Sequence, residues 1–317
     1  MGSLVGRGRG TMRPGRPPGA LLRDLTQPGA LPLRPLTTGE LLDAAVVLLR
    51  TRAGKLIGIG ALLALAEQAI LFPLRRLADV DDSFLPGEDL LAQFGVLIVV
   101  GFATEAFCIA LLGGVASAEA PRALLGTAAP RGRGSRLGSV VVVGLVAALI
   151  CAASAWTFLI LPVRFEVLGL VLAVMATFVI WPFAYGLVGL AVPAVVIDEL
   201  SPVRALPRSV RLAARNIMRA MWIRDLGYLV WLFIRLGLSI ATIAVVGIFY
   251  SSPSPTVDNL LMGGTWLVVN ALAYPVLGCL DVALHLEARM RTEGLDIALR
   301  RSLRRGVATD SALAVPR

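Results

Sequence analysis

Residues 138–161 read GSVVVVGLVAALICAASAWTFLIL, a run without one charged side chain. An α-helix rises about 1.5 Å per residue, so about 20 apolar residues cross a hydrocarbon core about 30 Å thick. This run is long enough to do so. Five further runs have the same character, near residues 54–74, 90–116, 165–197, 220–250 and 258–285. Together they predict an all-α polytopic membrane protein with six transmembrane helices. The run at 165–197 exceeds what a bilayer needs and holds Pro182 and Pro193, so a kink or an extension beyond the membrane is expected there.

Composition agrees with this reading. The 317 residues are 57% hydrophobic, with a mean hydropathy of +0.80, where soluble domains stay near half apolar. A net charge of +9 and a pI near 10.6 would raise nucleic-acid binding for a soluble chain. Here the basic residues sit between apolar runs, where loops meet anionic headgroups, and membrane lipids are the expected partner. Cys108, Cys151 and Cys279 all lie in apolar runs without CxxC spacing. They read as small buried apolar residues, not as a disulfide framework or a metal site. No cofactor is implied.

Residues 1–35 are rich in Gly, Pro and Arg and are expected to be a disordered basic tail. Residues 36–300 form the expected membrane domain, and 301–317 a second disordered tail. The first apolar run begins only near Ala53, too late for a cleaved signal, so the first span is expected to stay as an anchor. Of the 30 Lys and Arg residues, all but Arg75, Arg76, Arg164 and Arg235 fall in the N-terminal segment to Lys55, the 119–136 and 198–224 loops and the tail from Arg289. The opposite loops carry Asp79, Asp81, Asp82, Glu88 and Asp89. The positive-inside rule then places both termini in the cytoplasm of a bacterial plasma membrane.

Short amphipathic segments interrupt this pattern. Thr37 and Glu40 have capping-box spacing and open a helix to about Arg52, with Leu41, Ala45, Leu48 and Leu49 on one side. Similar segments begin near Glu119 and Ser201. Each precedes a pair of spans, which suggests three like-oriented hairpins led by surface helices. In the third segment Arg204, Arg208, Arg211, Arg215 and Arg219 recur at helical spacing, with Val203, Val210, Ala214 and Ile217 on the other side. Such a stripe binds acidic lipid headgroups or an acidic protein partner, or simply anchors a topology-setting helix.

Among the ionisable residues in or at the edge of spans, Glu67, Glu105, Arg235, Asp281 and His285 are the candidate intramembrane polar site. Charges in lipid are costly, so they face the bundle interior and find partners. Arg235 lies at a depth compatible with Glu67 and Glu105 and is expected to pair with at least one of them. Asp281 and His285 share a helix face near the basic end, where an interfacial hydrogen bond is expected. Gly54 and Gly58 form a GxxxG pair, and Gly186 and Gly189 offer small faces for helix packing.

Ser201-Pro202-Val203-Arg204-Ala205-Leu206, continuing through Arg208-Ser209, Arg211-Leu212 and Asn216, and Glu287-Ala288-Arg289-Met290-Arg291-Thr292-Glu293-Gly294-Leu295-Asp296 together resemble one bacterial family. It is the glycerophosphoryl diester phosphodiesterase membrane-domain family, with related membrane domains of unknown function. Leu36-Thr37-Thr38-Gly39-Glu40-Leu41-Leu42-Asp43 fits the same pattern, so the resemblance covers about residues 36–300. It implies the membrane part alone. The catalytic domain of that family needs several histidines, and this chain has one. Pro207 and Glu287 depart from the pattern, and Pro207 puts the first turn of its helix in doubt. In the tail, Gly294 is expected to end a helix and Leu295, Ile297 and Leu299 to rest on the membrane.

No nucleophile sits with a base, and no catalytic motif is visible. The expectation is a non-enzymatic scaffold or accessory component of the cell envelope. The alternative is a transporter or lipid-handling permease built on Glu67, Glu105 and Arg235. Topology is directly testable: a reporter fused after Asp82 is expected to read as external and one after Arg133 as cytoplasmic. The reverse readout would overturn the charge argument.

Overall fold

In a computed structural model, residues 31–77, 88–125, 136–215, 217–249 and 255–304 are described, and every element among them is helical. The first hairpin region comprises α1 (Thr38–Thr51), α2 (Ala53–Leu77) and α3 (Glu88–Ser117). The second comprises α4 (Ala120–Leu125), α5 (Leu137–Ala155), α6 (Thr157–Val188) and α7 (Ala191–Val196). The third comprises α8 (Pro202–Ala214), α9 (Ile217–Phe249), α10 (Pro255–Glu293) and α11 (Leu295–Arg304). Among the described residues six helices are long and apolar enough to cross a membrane, so the chain is an all-α multi-pass membrane protein.

The span boundaries follow local chemistry. Helix α5 stops at Ala155, and α6 starts again after the single residue Trp156. The long fourth run breaks at Gly189-Leu190 and not at either proline; Pro182 is carried inside α6 and Pro193 inside α7. Helix α10 continues to Glu293, well past residue 285, and ends at Gly294, whose φ of +64° suits a residue without a Cβ.

Consecutive spans pack as three hairpins, α2/α3, α5/α6 and α9/α10, preceded in turn by α1, α4 and α8. Helix α10 is central and mostly buried, touching α1, α2, α3 and α9. Helix α9 is peripheral; it leans on α10 and α6. Close approach occurs where side chains vanish. A Cβ on Gly278 would lie 2.7 Å from the Gly113 nitrogen, and one on Gly60 would lie 2.7 Å from Pro275 Cγ. The sequence pairs Gly54/Gly58 and Gly186/Gly189 do not serve this purpose. Gly54, Gly58 and Gly186 have open space where a Cβ would stand, and Gly189 faces the Arg224 side chain.

The short helices gather at one end of the bundle. The Thr37 capping box forms: the Thr37 hydroxyl accepts from the Glu40 amide at 3.4 Å and the Glu40 carboxylate accepts from the Thr37 amide at 2.8 Å. Hydrogen bonds from Arg34 and Thr37 hold the Glu40 carboxyl down at about 2. Helix α1 buries Leu41, Ala44, Ala45 and Leu48 against protein, including α10. Residues 31–35, expected within a disordered tail, are instead docked. The Leu31 amide donates to the Ala123 carbonyl at 2.9 Å, the Leu33 carbonyl accepts from Arg300, and Leu31 joins the core. Residues 1–30 and 305–317 lie outside the described residues, while 301–304 belong to α11.

Two expectations about the surface helices are corrected. In α8 the buried face is Ala205, Ser209, Leu212 and Ala213, while Val203 and Val210 point outward beside Arg204, Arg211 and Arg215. The arginines do not form one free stripe. Arg208 turns inward to Asp198 and Glu293, and Arg219 belongs to α9 and reaches the Leu36 carbonyl. Packing of the Ala205, Ser209, Leu212 and Ala213 face and the inward Arg208–Asp198 pair together set the rotation of α8. Pro207 sits inside α8 without ending it, since the helix already starts at Pro202. In α11, Leu295 and Leu299 are buried in the core and only Ile297 is exposed. Gly278→Ala is expected to lower thermal stability in mild detergent by about 1–3 kcal/mol through overpacking, while Gly58→Ala is expected to be neutral or slightly stabilising. Equal melting temperatures for both variants would contradict the close approach.

Candidate intramembrane polar site

Helix α10 carries Asn270, Tyr274, Asp281, His285 and Arg289 at spacings that keep them within one broad face. Asn270 and Tyr274 meet Glu67, Asp281 meets Arg224, and His285 and Arg289 meet Asp198, which makes three polar layers through an otherwise apolar bundle. Buried charge in such surroundings requires a partner and further hydrogen bonds.

The first layer lies at the end where the short helices gather. Asp198, in the turn after α7, contacts His285 Nε2 at 3.2 Å, Arg289 Nη1 at 2.7 Å and Arg208 Nε. Burial pushes the Asp198 carboxyl up, but His285 and the Arg289 and Arg208 guanidiniums outweigh it and hold it down at about 2. Arg208 and Arg289 also share Glu293, and Glu287 meets Arg219 and Arg291. The two motif stretches therefore meet here. His285 binds another element and is not part of a pair with Asp281.

The second layer is Asp281, which accepts from Arg224 Nε at 2.7 Å and from the Tyr185 hydroxyl at 3.1 Å. Asp281 is a buried interior residue, not an interfacial one, because α10 runs on by three more turns.

The third layer lies farthest along α10 from the end where the short helices gather. Arg235 is 1% exposed and donates through Nη2 to Glu105 Oε1 at 2.5 Å and through Nη1 to Oε2 at 3.3 Å. The Tyr228, Trp266 and Tyr274 rings surround its guanidinium at 5.8, 5.6 and 5.7 Å. The Tyr228 hydroxyl also donates to Glu105, at 3.3 Å. Glu67 is served separately: the Tyr274 hydroxyl lies 2.6 Å from its carboxylate and Asn270 Nδ2 lies 2.9 Å away. The structure thus brings Glu67, Glu105 and Arg235 together and sends Asp281 and His285 to other layers.

A cavity of about 400 Å³ opens beside this layer. It lies where α3 and α9 stand apart and are bridged by side chains. Glu67, Arg75, Glu105, Asp225 and Arg235 supply its polar groups, and Leu71, Leu97, Ile98, Leu229, Leu232 and Met262 are among its apolar walls. On α9 the lining residues Asp225, Tyr228, Leu229, Leu232 and Arg235 follow helical periodicity, so the cavity extends about 15 Å along that helix. Buried Asp225 Oδ1 and Arg75 Nη1 have no hydrogen-bond partner.

Sequence reasoning missed Asp198, Arg224, Asp225 and Arg75 as site residues, because Asp198, Arg224 and Arg75 read as loop charges and no motif marks Asp225 in the first turns of its span. The available signal was the set of tyrosines inside apolar runs, since Tyr185, Tyr228 and Tyr274 each bond a buried carboxylate. Among the described residues no group of three or more His, Cys, Asp or Glu forms a metal site. No family model, curated protein or solved structure matches the chain.

Arg235→Ala leaves Glu105 buried and unpaired and is expected to cost about 3–5 kcal/mol of stability. Adding Glu105→Ala should restore a large part of that loss. Additive losses in detergent melting would show that the two residues do not interact.

Proposed function

We propose that this protein is a carrier or lipid-handling permease that binds a small amphipathic molecule between α3 and α9. The observation that carries the reading is the cavity of about 400 Å³ with apolar walls and a charged floor. Pockets for small molecules commonly occupy about 300–1,000 Å³ and combine apolar lining with a few convergent polar groups. Helix α9 supports the reading as the movable partner. It is the least buried span, and among the described residues its side-chain hydrogen bonds to α3 come from Arg235 and Tyr228.

The proposal places the protein in a bacterial plasma membrane with both termini in the cytoplasm. Its support is the clustering of basic residues at the end holding α1, α4, α8 and α11, where anionic headgroups and Arg side chains attract. Kinship with the glycerophosphoryl diester phosphodiesterase membrane domain belongs to the same reading, supported by the meeting of its two motif stretches around Asp198. A second reading, a non-enzymatic scaffold with a protein partner in the membrane, rests on Val203, Arg204, Val210 and Arg211, which stay outward on α8, and on exposed Arg215 at its end.

Native mass spectrometry of protein released from mild detergent tests the proposal. Wild type should retain an amphiphile, and Leu229→Trp, which fills the cavity, should reduce its occupancy about tenfold without lowering the melting temperature. Identical occupancy in the two proteins would place the bound molecule elsewhere.

A further inference from the structure

The charges lining the cavity are unequally satisfied. Arg235 is neutralised by Glu105, and nearby Arg224 is neutralised by Asp281. Asp225 has no ion partner among the described residues, and its buried Oδ1 accepts no hydrogen bond. It stands one helical turn before Tyr228, so both present to the same side of α9. There the Tyr228 ring meets Trp181 at 4.5 Å between centroids, and Phe102 meets Trp181 edge-on at 5.8 Å. All three rings and Asp225 line the cavity. Aromatic rings and a carboxylate that makes no ion pair among the described residues, lining one cavity, are the recognition chemistry of an organic ammonium, because ring quadrupoles and the carboxylate both attract positive charge without requiring N–H donors. The remaining walls are aliphatic and take an apolar body.

We infer that the cavity selects a lipophilic organic cation, with its charged centre between Asp225 and the Phe102, Trp181 and Tyr228 rings. This rests on the cavity being the ligand site and names the class of ligand. It assigns Asp225 the role of counter-ion and Arg235 that of a paired structural cation. An anionic ligand would find one bound guanidinium, Arg235, and one partly engaged by Gln68, Arg75, and it would face the Asp225 carboxylate.

Two probes of matched shape and opposite charge separate the possibilities: tetraphenylphosphonium and tetraphenylborate. Binding is measured on the full chain in nanodiscs of neutral phosphatidylcholine, with empty nanodiscs subtracted. The expected result is saturable binding of the cation, weak or absent binding of the borate, and a rise of about tenfold or more in Kd for the cation in Asp225→Asn. Trp181→Leu should weaken the cation in the same direction. Because Asp225 makes no ion pair among the described residues and its buried Oδ1 accepts no hydrogen bond, Asp225→Asn should melt as wild type does, which separates lost binding from lost folding. Saturable binding of the borate that Leu229→Trp abolishes would overturn the charge preference while leaving the cavity as a ligand site. Cation binding unchanged in Asp225→Asn would overturn the inference, as would binding of neither probe; binding of either probe that Leu229→Trp does not affect would count against the cavity itself.

Discussion

A guanidinium in the middle of an apolar span must be paired, and the pairing of Arg235 with Glu105 organises the rest of this molecule. Arg235 arrives from α9 and Glu105 from α3, two helices that stand apart. The bond therefore bridges a gap instead of sealing a contact, and the gap is the cavity. Removing both charges would cost less than removing one, because an isolated buried charge carries the full desolvation penalty. Tyr228, Trp266 and Tyr274 surround the guanidinium and spread that cost over three rings.

Helix α10 sets the frame around this bridge. It is central, yet it carries a face of Asn270, Tyr274, Asp281, His285 and Arg289. Each polar layer ties α10 to a different element: α2 through Glu67, α9 and α6 through Asp281, and the turn before α8 through Asp198. The Asp198 layer also holds Arg208, so the rotation of α8 is decided inside the protein. That leaves Val203, Arg204, Val210, Arg211 and Arg215 on the outside, a mixed apolar and basic surface suited to a lipid interface.

Much of the fold was legible in the sequence, because six apolar runs and their flanking charges are direct consequences of crossing hydrocarbon. The three-hairpin order, the Thr37 capping box and the Arg235–Glu105 contact are further examples, each with a local or depth-based cause. What failed depended on tertiary rotation. Gly54 and Gly58 satisfy a packing motif, but Gly113 and Gly278 make the close approach, and no spacing rule links residues so far apart. The arginines of 204–219 share a periodicity, but the helix break near Arg215 and the pull of Asp198 divide them. Asp225 sits in the first turns of a span where no motif marks it, and only the position of Trp181 and Tyr228 gives it a surrounding.

The central claim is that α9 is held to α3 across an open gap by one buried ion pair. Spin labels on the outward-facing positions Val96 and Leu236, with the native cysteines buried, read the separation of the two helices in nanodiscs. The account predicts a single narrow distance distribution in the wild-type background, which becomes longer and broader when Glu105→Gln removes the charge that holds Arg235. A distribution unchanged by Glu105→Gln would contradict it, because α9 would then be held by contacts other than the pair.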